Sequence, residues 1–286
     1  MTKSQATPDT SIPMTALDYE ALSEIVLDRS GIELPAERRG EIAAELGGYL
    51  AEMGLDTFEQ YLTLLRTGPL RHEEFRNLLE RISPIRPAFF DQAGQLEAFE
   101  CSLLPELIET RKPTRHLRIF SAACGQGQEA YTIAMIIHRA LGVRLMDWTV
   151  EVFGCDLNQR NIEIASRGVY TRQNVRSMPE IMRLRYFYER AGQWAVNDEI
   201  TQMVGFETLD LRDRGGIGRH GHWDAIICRD TLPHFDGQTR RSVLDCFHEH
   251  LAEDGVLLLG ESEVLPPEAA PFVAMPQRSL SGYRRV

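Results

Sequence analysis

The chain is poor in several features that would narrow its role at once. Its five cysteines include no Cys-x-x-Cys pair. An odd set of this kind argues against a disulfide framework and for a reduced, cytoplasmic setting. No run of about 18 apolar residues occurs, so no membrane insertion is expected. Met1 to Pro13 is polar and holds Ser, Thr and Pro without an apolar stretch. Residues 1–14 therefore read as a disordered lead rather than a secretion signal. Positive charge is also short. Lys and Arg number 31 against 42 Asp and Glu, a formal net charge of −11. That balance removes nucleic acid and anionic membranes as default partners. There is no internal repeat, low-complexity tract, Ser-His-Asp set or metal-ligand spacing. His220 and His222 merely flank a glycine, and His248 and His250 are two apart, on different faces of a helix.

What is present fits a globular protein: 43% hydrophobic and 26% charged residues in 286, enough for two domains. Residues 15–84 read as an all-helical domain. Leu17, Leu22, Ile25, Val26 and Leu27 recur near helical spacing, with Thr15 or Asp18 as cap and Gly31 as stop. A second helix, Arg38 to Met53, carries Ile42, Leu46, Tyr49 and Leu50 on one face. Thr57 caps a third from Phe58, and His72 to Ile82 is a fourth. Prolines between Ser83 and Asp91 mark a linker. Gln92 to Arg111 then reads as one helix with Leu96, Phe99, Leu103, Leu104 and Leu107 as its stripe.

From Leu117 onward, strands and helices alternate, which predicts a mostly parallel, doubly wound sheet in residues 85–286. The strands expected are Leu117 to Phe120, Thr149 to Cys155, Val204 to Leu209, Asp224 to Cys228 and Val256 to Leu259. Two extended pieces between Pro271 and Val286 read as a closing antiparallel hairpin. A long crossover, Tyr170 to Met203, holds a small β insertion near 186–203, with its hairpin placed at Gln193 to Ile200.

The most informative stretch is Ser121-Ala122-Ala123-Cys124-Gly125-Gln126-Gly127-Gln128-Glu129-Ala130-Tyr131. A strand turning through Gly-x-Gly into a helix is where such sheets bind nucleotide-like ligands, because glycine lets backbone and ligand approach closely. Ligands lie beyond the carboxyl ends of the strands, here Ala123 to Gly127, Asp156, Asp210, Arg229-Asp230 and Glu261 to Glu263. Asp156 suits the two hydrogen bonds of a ribose diol; its alternative is capping the helix from Asn158. Gly125-x-Gly127-x-x-Ala130 formally matches a dinucleotide fingerprint, so a dehydrogenase has to be weighed. Two features oppose it. Glu129 at the helix start would repel a pyrophosphate, whereas the sulfonium and ammonium of S-adenosylmethionine suit a carboxylate. Asp156 follows Gly127 by 29 residues, not the roughly 20 of the dinucleotide pattern. Cys124, Cys155 and Cys228 fall at strand ends and read as small apolar packing.

Taken together, the motifs resemble CheR-type chemotaxis-receptor methyltransferases, from about residue 15 to the end. The matching pieces are Ser121 to Cys124 with Gly127-x-Glu129-x-Tyr131, Asp156, Ala165-x-x-Gly168-x-Tyr170 and Arg185-Tyr186-Phe187. Trp223 to Arg229, Phe235-Asp236, Asp254-Gly255 and Gly260-x-Ser262-Glu263 follow in the same order. The resemblance implies a class I methyltransferase-like sheet with a closing antiparallel hairpin, plus an N-terminal helical domain. It implies S-adenosylmethionine as cofactor, S-adenosylhomocysteine as product and methyl transfer to a glutamate carboxylate of a chemoreceptor-like protein. Such a carboxylate, with a reference pKa of about 4.3, attacks the sulfonium methyl in line without a general base. Cofactor contacts are implied for Phe90, Ala123, Gly127, Glu129, Asp156, Asp210, Leu211, Arg229 and Asp230, with His234 and Arg229 at the reacting centre. In some members the β insertion, here near Trp194, docks a receptor's C-terminal peptide.

The departures cluster where function lies. The family frame Asn-x-Thr-x-Phe-Phe-Arg reads Ile85-Arg86-Pro87-Ala88-Phe89-Phe90-Asp91, so an arginine becomes Asp91. Gln128 replaces the first of two glutamates, Asp210 and Asp230 replace asparagines, and His234 replaces a tyrosine. Helix two carries Glu41, Glu45 and Glu52 where relatives place arginines for acidic receptor helices. Three readings follow: an active enzyme with a changed substrate, a cofactor-sensing or protein-binding relative without methyl transfer, or another nucleotide-dependent enzyme.

Overall fold

Helix boundaries in the first part of the chain follow their caps. In α1 (Ala16–Ser30), Thr15 Oγ1 accepts the Asp18 N–H at 3.1 Å while Asp18 Oδ2 accepts the Thr15 N–H at 2.9 Å. Both candidate residues thus form one capping box. Gly31, with φ of 72°, closes the helix in the left-handed region. α2 (Arg39–Glu52), α3 (Phe58–Thr67) and α4 (Arg71–Ile82) complete this unit. Leu22, Ile25 and Val26 pack with Ile42, Leu46, Leu50, Phe58, Tyr61, Leu65 and Leu78. Leu17 and Leu27 do not join them, at 75% and 40% exposed. The buried face instead runs through Tyr19, so the stripe is rotated from the one expected. Glu74 is buried here, accepting hydrogen bonds from Tyr61 at 2.9 Å and Tyr49 at 3.1 Å.

This is a computed structural model in which residues 12–83, 88–265, 269 and 271–286 are described. The chain divides into two compact units, Met1–Pro84 and Ile85–Val286. Most of the expected lead, and the frame positions Ile85, Arg86 and Pro87, lie outside the described residues.

The second unit opens on the helical run expected from Gln92 to Arg111, continuous from Ala93 to Thr110 but widened in the middle: α5 (Ala93–Ala98), a π turn (Phe99–Leu103) and α6 (Leu104–Thr110). Pro105 supplies the reason. It lacks an N–H and its ring would strike the carbonyl four residues back; the wide turn, with Leu104 N–H reaching Phe99 C=O, relieves both.

Then follow β1 (His116–Ala122), α7 (Gln128–Leu141), β2 (Thr149–Asp156), α8 (Gln159–Arg167), β3 (Val169–Tyr170) and α9 (Glu180–Tyr186). Next come β4 (Phe187–Arg190), β5 (Gln193–Val196), α10 (Asp198–Thr201), β6 (Val204–Thr208) and α11 (Arg214–Gly218). β7 (Trp223–Cys228), α12 (Gly237–His250), β8 (Leu251–Leu259), β9 (Phe272–Ala274) and β10 (Gly282–Arg285) end the chain. The main sheet has the order β6-β2-β1-β7-β8-β10-β9. The first five strands are parallel; β10 runs antiparallel to both β8 and β9. The chain steps outward from β1 through β2 to β6, then returns to the other side of β1 with β7. The β1/β7 boundary is therefore the switch point where a ligand crevice opens.

The central strands β7 and β8 carry continuous apolar runs, Ala225 to Cys228 and Val256 to Leu259, because helices cover them. Ile119, Ile133, Ile137, Val152, Ala225, Ile227, Val256 and Leu258 belong to one buried cluster. Phe120 stacks on Trp223 with centroids 5.3 Å apart.

The insertion is a second antiparallel sheet, β3-β5-β4. Its hairpin turns at Ala191-Gly192, with φ of 50° and 78°, the left-handed pair that a tight hairpin turn requires. The expected hairpin at Gln193 to Ile200 is thus displaced: its first strand lies earlier, and Asp198 to Ile200 is helical.

Candidate active site

The crevice is built by the β1–α7 turn. Ala123, Gly125 and Gly127 take φ of 57°, 55° and 89°. Gly127 is also sterically required: a Cβ there would come within 2.8 Å of Ala165 Cβ and 2.9 Å of Phe206 Cζ. The turn is tied to β2 by Cys124 N–H to Cys155 C=O at 2.8 Å. Asp156 continues this tie. Its Oδ2 accepts the Gly125 N–H at 3.0 Å, and its Oδ1 accepts Asn158 N–H at 2.8 Å and Asn161 Nδ2 at 3.1 Å. Asn158 caps α8 with its own side chain. The proposed ribose ligand thus also holds the glycine turn at the end of β2.

Glu129 occupies the first turn of α7. Ser121 Oγ donates to its Oε1 at 2.6 Å, and Arg229, from the end of β7, donates Nε to its Oε2 at 2.5 Å. Both side chains of the ion pair are largely buried, 10% and 14% exposed. Burial works to lower the basicity of Arg229, but Glu129, Asp91 and Asp230 outweigh it and hold the guanidinium more firmly charged. Arg229 also donates to Asp91 C=O at 3.3 Å and Gln95 Oε1 at 3.4 Å. One arginine therefore offsets the acidic replacements on both sides of it.

Gln92 and Gln95 were missed in the sequence, although Gln95 sits beside Leu96 on a buried face, an unusual place for an amide. Gln95 is 2% exposed and donates to Leu259 C=O and Leu280 C=O at 2.5 and 2.7 Å. Gln92 donates to Asp230 Oδ2 at 2.6 Å and accepts the Glu261 N–H at 3.1 Å. Glu263 Oε2 accepts N–H groups from Asp230 at 2.8 Å and Gly260 at 2.5 Å. Desolvation raises the Glu263 carboxyl above the usual range, and its other oxygen is buried with no hydrogen bond among the described residues. α5 is thus laced to the ends of β7 and β8 by amides and carboxylates.

Other expected residues are placed as follows. Asp210 pairs with Arg212 at 2.7 Å, and Leu211 beside it is 5% exposed. Phe90, with φ of 58°, donates its N–H to Thr132 Oγ1 at 3.2 Å, while Phe89 stacks edge-on against Tyr170 and Phe187. His234 ends a 3₁₀ turn, Leu232–His234, with its N–H on Thr231 C=O. Gln128 is wholly buried, and neither amide atom has a hydrogen-bond partner among the described residues. Cys124, Cys155 and Cys228 are buried, and burial raises their thiols well above the ordinary value. Among the described residues no group of three His, Cys, Asp or Glu could hold a metal ion.

The features fit S-adenosylmethionine: a turn with no Cβ at Gly127, a carboxylate at the end of β2, and a second at the start of α7. They define a class I methyltransferase fold. The model described as "CheR methyltransferase, SAM binding domain" matches residues 86–280, and "CheR methyltransferase, all-alpha domain" matches residues 17–83. The chain belongs to the CheR methyltransferase family. Its relatives include the chemotaxis protein methyltransferase of Escherichia coli (strain K12), 29% identical over 86% of this chain and 83% of that protein. Chemotaxis protein methyltransferase 2 of Vibrio cholerae is 27% identical over 95% and 94% of the two chains. The Borreliella burgdorferi chemotaxis protein methyltransferase is 26% identical over 89% and 90%. The protein is an S-adenosylmethionine-dependent methyltransferase by family.

Proposed function

We propose that this chain methylates a side-chain carboxylate of a chemoreceptor-like signalling protein in the cytoplasm. S-adenosylmethionine supplies the electrophilic methyl group on a sulfonium. Glu129, fixed by Ser121 and Arg229, is the carboxylate suited to the cofactor's ammonium. Asp156 is the carboxylate suited to its ribose, and Gly127 leaves room for close approach. Phe90, Ala123, Asp210, Leu211 and Asp230 complete the cofactor rim, and His234 borders the acceptor. An acceptor carboxylate is already ionised at neutral pH, so the chain needs to orient it and exclude water rather than remove a proton. Arg229 is the cation that meets it, offsetting Asp91 and Asp230. The observation that carries this reading is the Ser121–Glu129–Arg229 arrangement at the β1/β7 switch point.

The test begins with calorimetric titration of S-adenosylmethionine and S-adenosylhomocysteine, beside Asp156→Ala. Micromolar binding that Asp156→Ala abolishes is expected. Radiolabelled methyl transfer to an acidic receptor fragment then follows, with the label released by mild base as an ester requires. Absent binding, or base-stable label, would refute the proposal.

A further inference from the structure

The helical unit holds a cleft of its own, bordered by α1 and by the junction of α3 with α4. Its volume is about 360 Å³, in the range of small-molecule sites. Part of its lining is apolar: Ile25 and Leu65 border it and are 8% and 1% exposed. The rest carries charge of both signs. Glu24 and Asp28 border it from α1, four residues apart and so on one helix face. Arg66, in the last turn of α3, and Arg71, the first residue of α4, border it from the junction.

Opposite charges around one cleft ordinarily close into ion pairs. Among the described residues no ion pair joins Glu24 or Asp28 to Arg66 or Arg71, and none of these four side chains makes a hydrogen bond. Arg29 also borders the cleft and is held in place. Its guanidinium lies 3.9 Å from the Phe75 ring centroid and donates to Leu65 C=O and Arg71 C=O, each at 3.3 Å. Burial and the charge of Arg71 lower its basicity, and Asp28 offsets them only in part. The cations of the cleft are therefore short of negative charge, while two carboxylates of α1 remain without a close cation.

A simple anion such as phosphate is a poor match, because Glu24 and Asp28 repel it. A simple cation meets three arginines. A dipolar molecule satisfies every part of the lining: a carboxylate for the arginines, whose paired N–H groups suit it, an ammonium for the carboxylates, and an aliphatic group for Ile25 and Leu65. We propose that this cleft binds a small zwitterion of the amino acid or dipeptide class, its carboxylate on Arg66 and Arg71 and its ammonium on Glu24 and Asp28. The site lies wholly within the helical unit and does not rest on the methyl-transfer reading.

The probes are L-leucine and the dipeptide Gly-Leu, titrated into the full chain and followed by saturation-transfer-difference NMR. N-acetyl-Gly-Leu lacks the ammonium and Gly-Leu amide lacks the carboxylate. Gly-Leu or leucine should bind in the millimolar range or tighter, and each blocked peptide should bind about fivefold or more weakly than Gly-Leu. Arg66→Gln with Arg71→Gln should erase the preference for Gly-Leu over its amide. Glu24→Gln with Asp28→Asn should erase the preference for Gly-Leu over its N-acetyl form. All four residues are exposed, so urea melts and S-adenosylmethionine titration should be unchanged in both double variants, which excludes misfolding as the cause. Absent binding of both probes, equal binding of the blocked peptides, or preferences that survive the double variants overturn the proposal. So does displacement of Gly-Leu by an equal concentration of inorganic phosphate, which would mark the cleft as a site for simple anions.

Discussion

Gly127→Ala tests the packing of the glycine turn. The residue has φ of +89°, and an added Cβ would meet Ala165 Cβ at 2.8 Å and Phe206 Cζ at 2.9 Å. The left-handed backbone alone costs about 1–2 kcal/mol for a residue with a Cβ. Forcing a methyl into packed neighbours adds roughly 1–3 kcal/mol. The sum, about 2–5 kcal/mol, corresponds to a Tm loss of roughly 5–15 °C for a unit of this size. Gly192→Ala is the matched control, since it has φ of +78° but nothing within 4 Å of a Cβ. It should lose only the backbone cost, about 1–2 kcal/mol. Urea melts of the two variants, with S-adenosylmethionine titration alongside, give the comparison. Gly127→Ala should lose cofactor affinity as well as stability. Equal stability of the two variants would refute the argument that packing, rather than backbone freedom, requires glycine at 127.

Arg229→Met should strand Glu129 in a largely buried place, at a cost of about 3–5 kcal/mol, and the Glu129→Gln/Arg229→Met pair should cost less than the single change, read by a double-mutant cycle in urea. Glu263 has a raised carboxyl in the folded state, so the unfolded chain ionises first and stability falls as pH rises from the ordinary carboxylate range through the raised folded value. Glu263→Gln keeps an acceptor oxygen for the Asp230 and Gly260 N–H groups and should flatten that fall, with no advantage at lower pH; parallel melts across pH 3 to 8 on the order of one-unit steps test it. Tyr61→Phe should destabilise the helical unit by about 1–3 kcal/mol by removing a donor from buried Glu74, measured by chemical denaturation.

The sheet was legible because its central strands carry apolar runs, Ala225 to Cys228 and Val256 to Leu259, and strands and helices alternate between turns. Even so, β8 begins at Leu251, five residues before the expected Val256, since Leu251 is buried beside residues that look like a loop. The π turn was not legible, because apolar spacing from Leu96 to Leu107 is nearly the same whether or not one turn is wide. Pro105 was the available signal. The hairpin was misplaced because β4 buries only Phe187 and shows no alternation beyond it. In the site, the carboxylates could be found at strand ends, but their partners could not. Arg229 lies 100 residues from Glu129, and Gln92 lies 138 from Asp230. Such pairings are set by strand order, which no local pattern carries.

The switch point has a kinetic consequence. β1 meets β7 at Ile119↔Ala225, so the two walls of the crevice come from distant parts of the chain. Closing so long a loop is slow compared with forming a helix or hairpin. The crevice should therefore be among the last features completed during folding, and the first to open when the β1–β7 seam loosens. A ligand seated across that seam would bind the closed form alone and act as a clasp, slowing unfolding in proportion to its saturation.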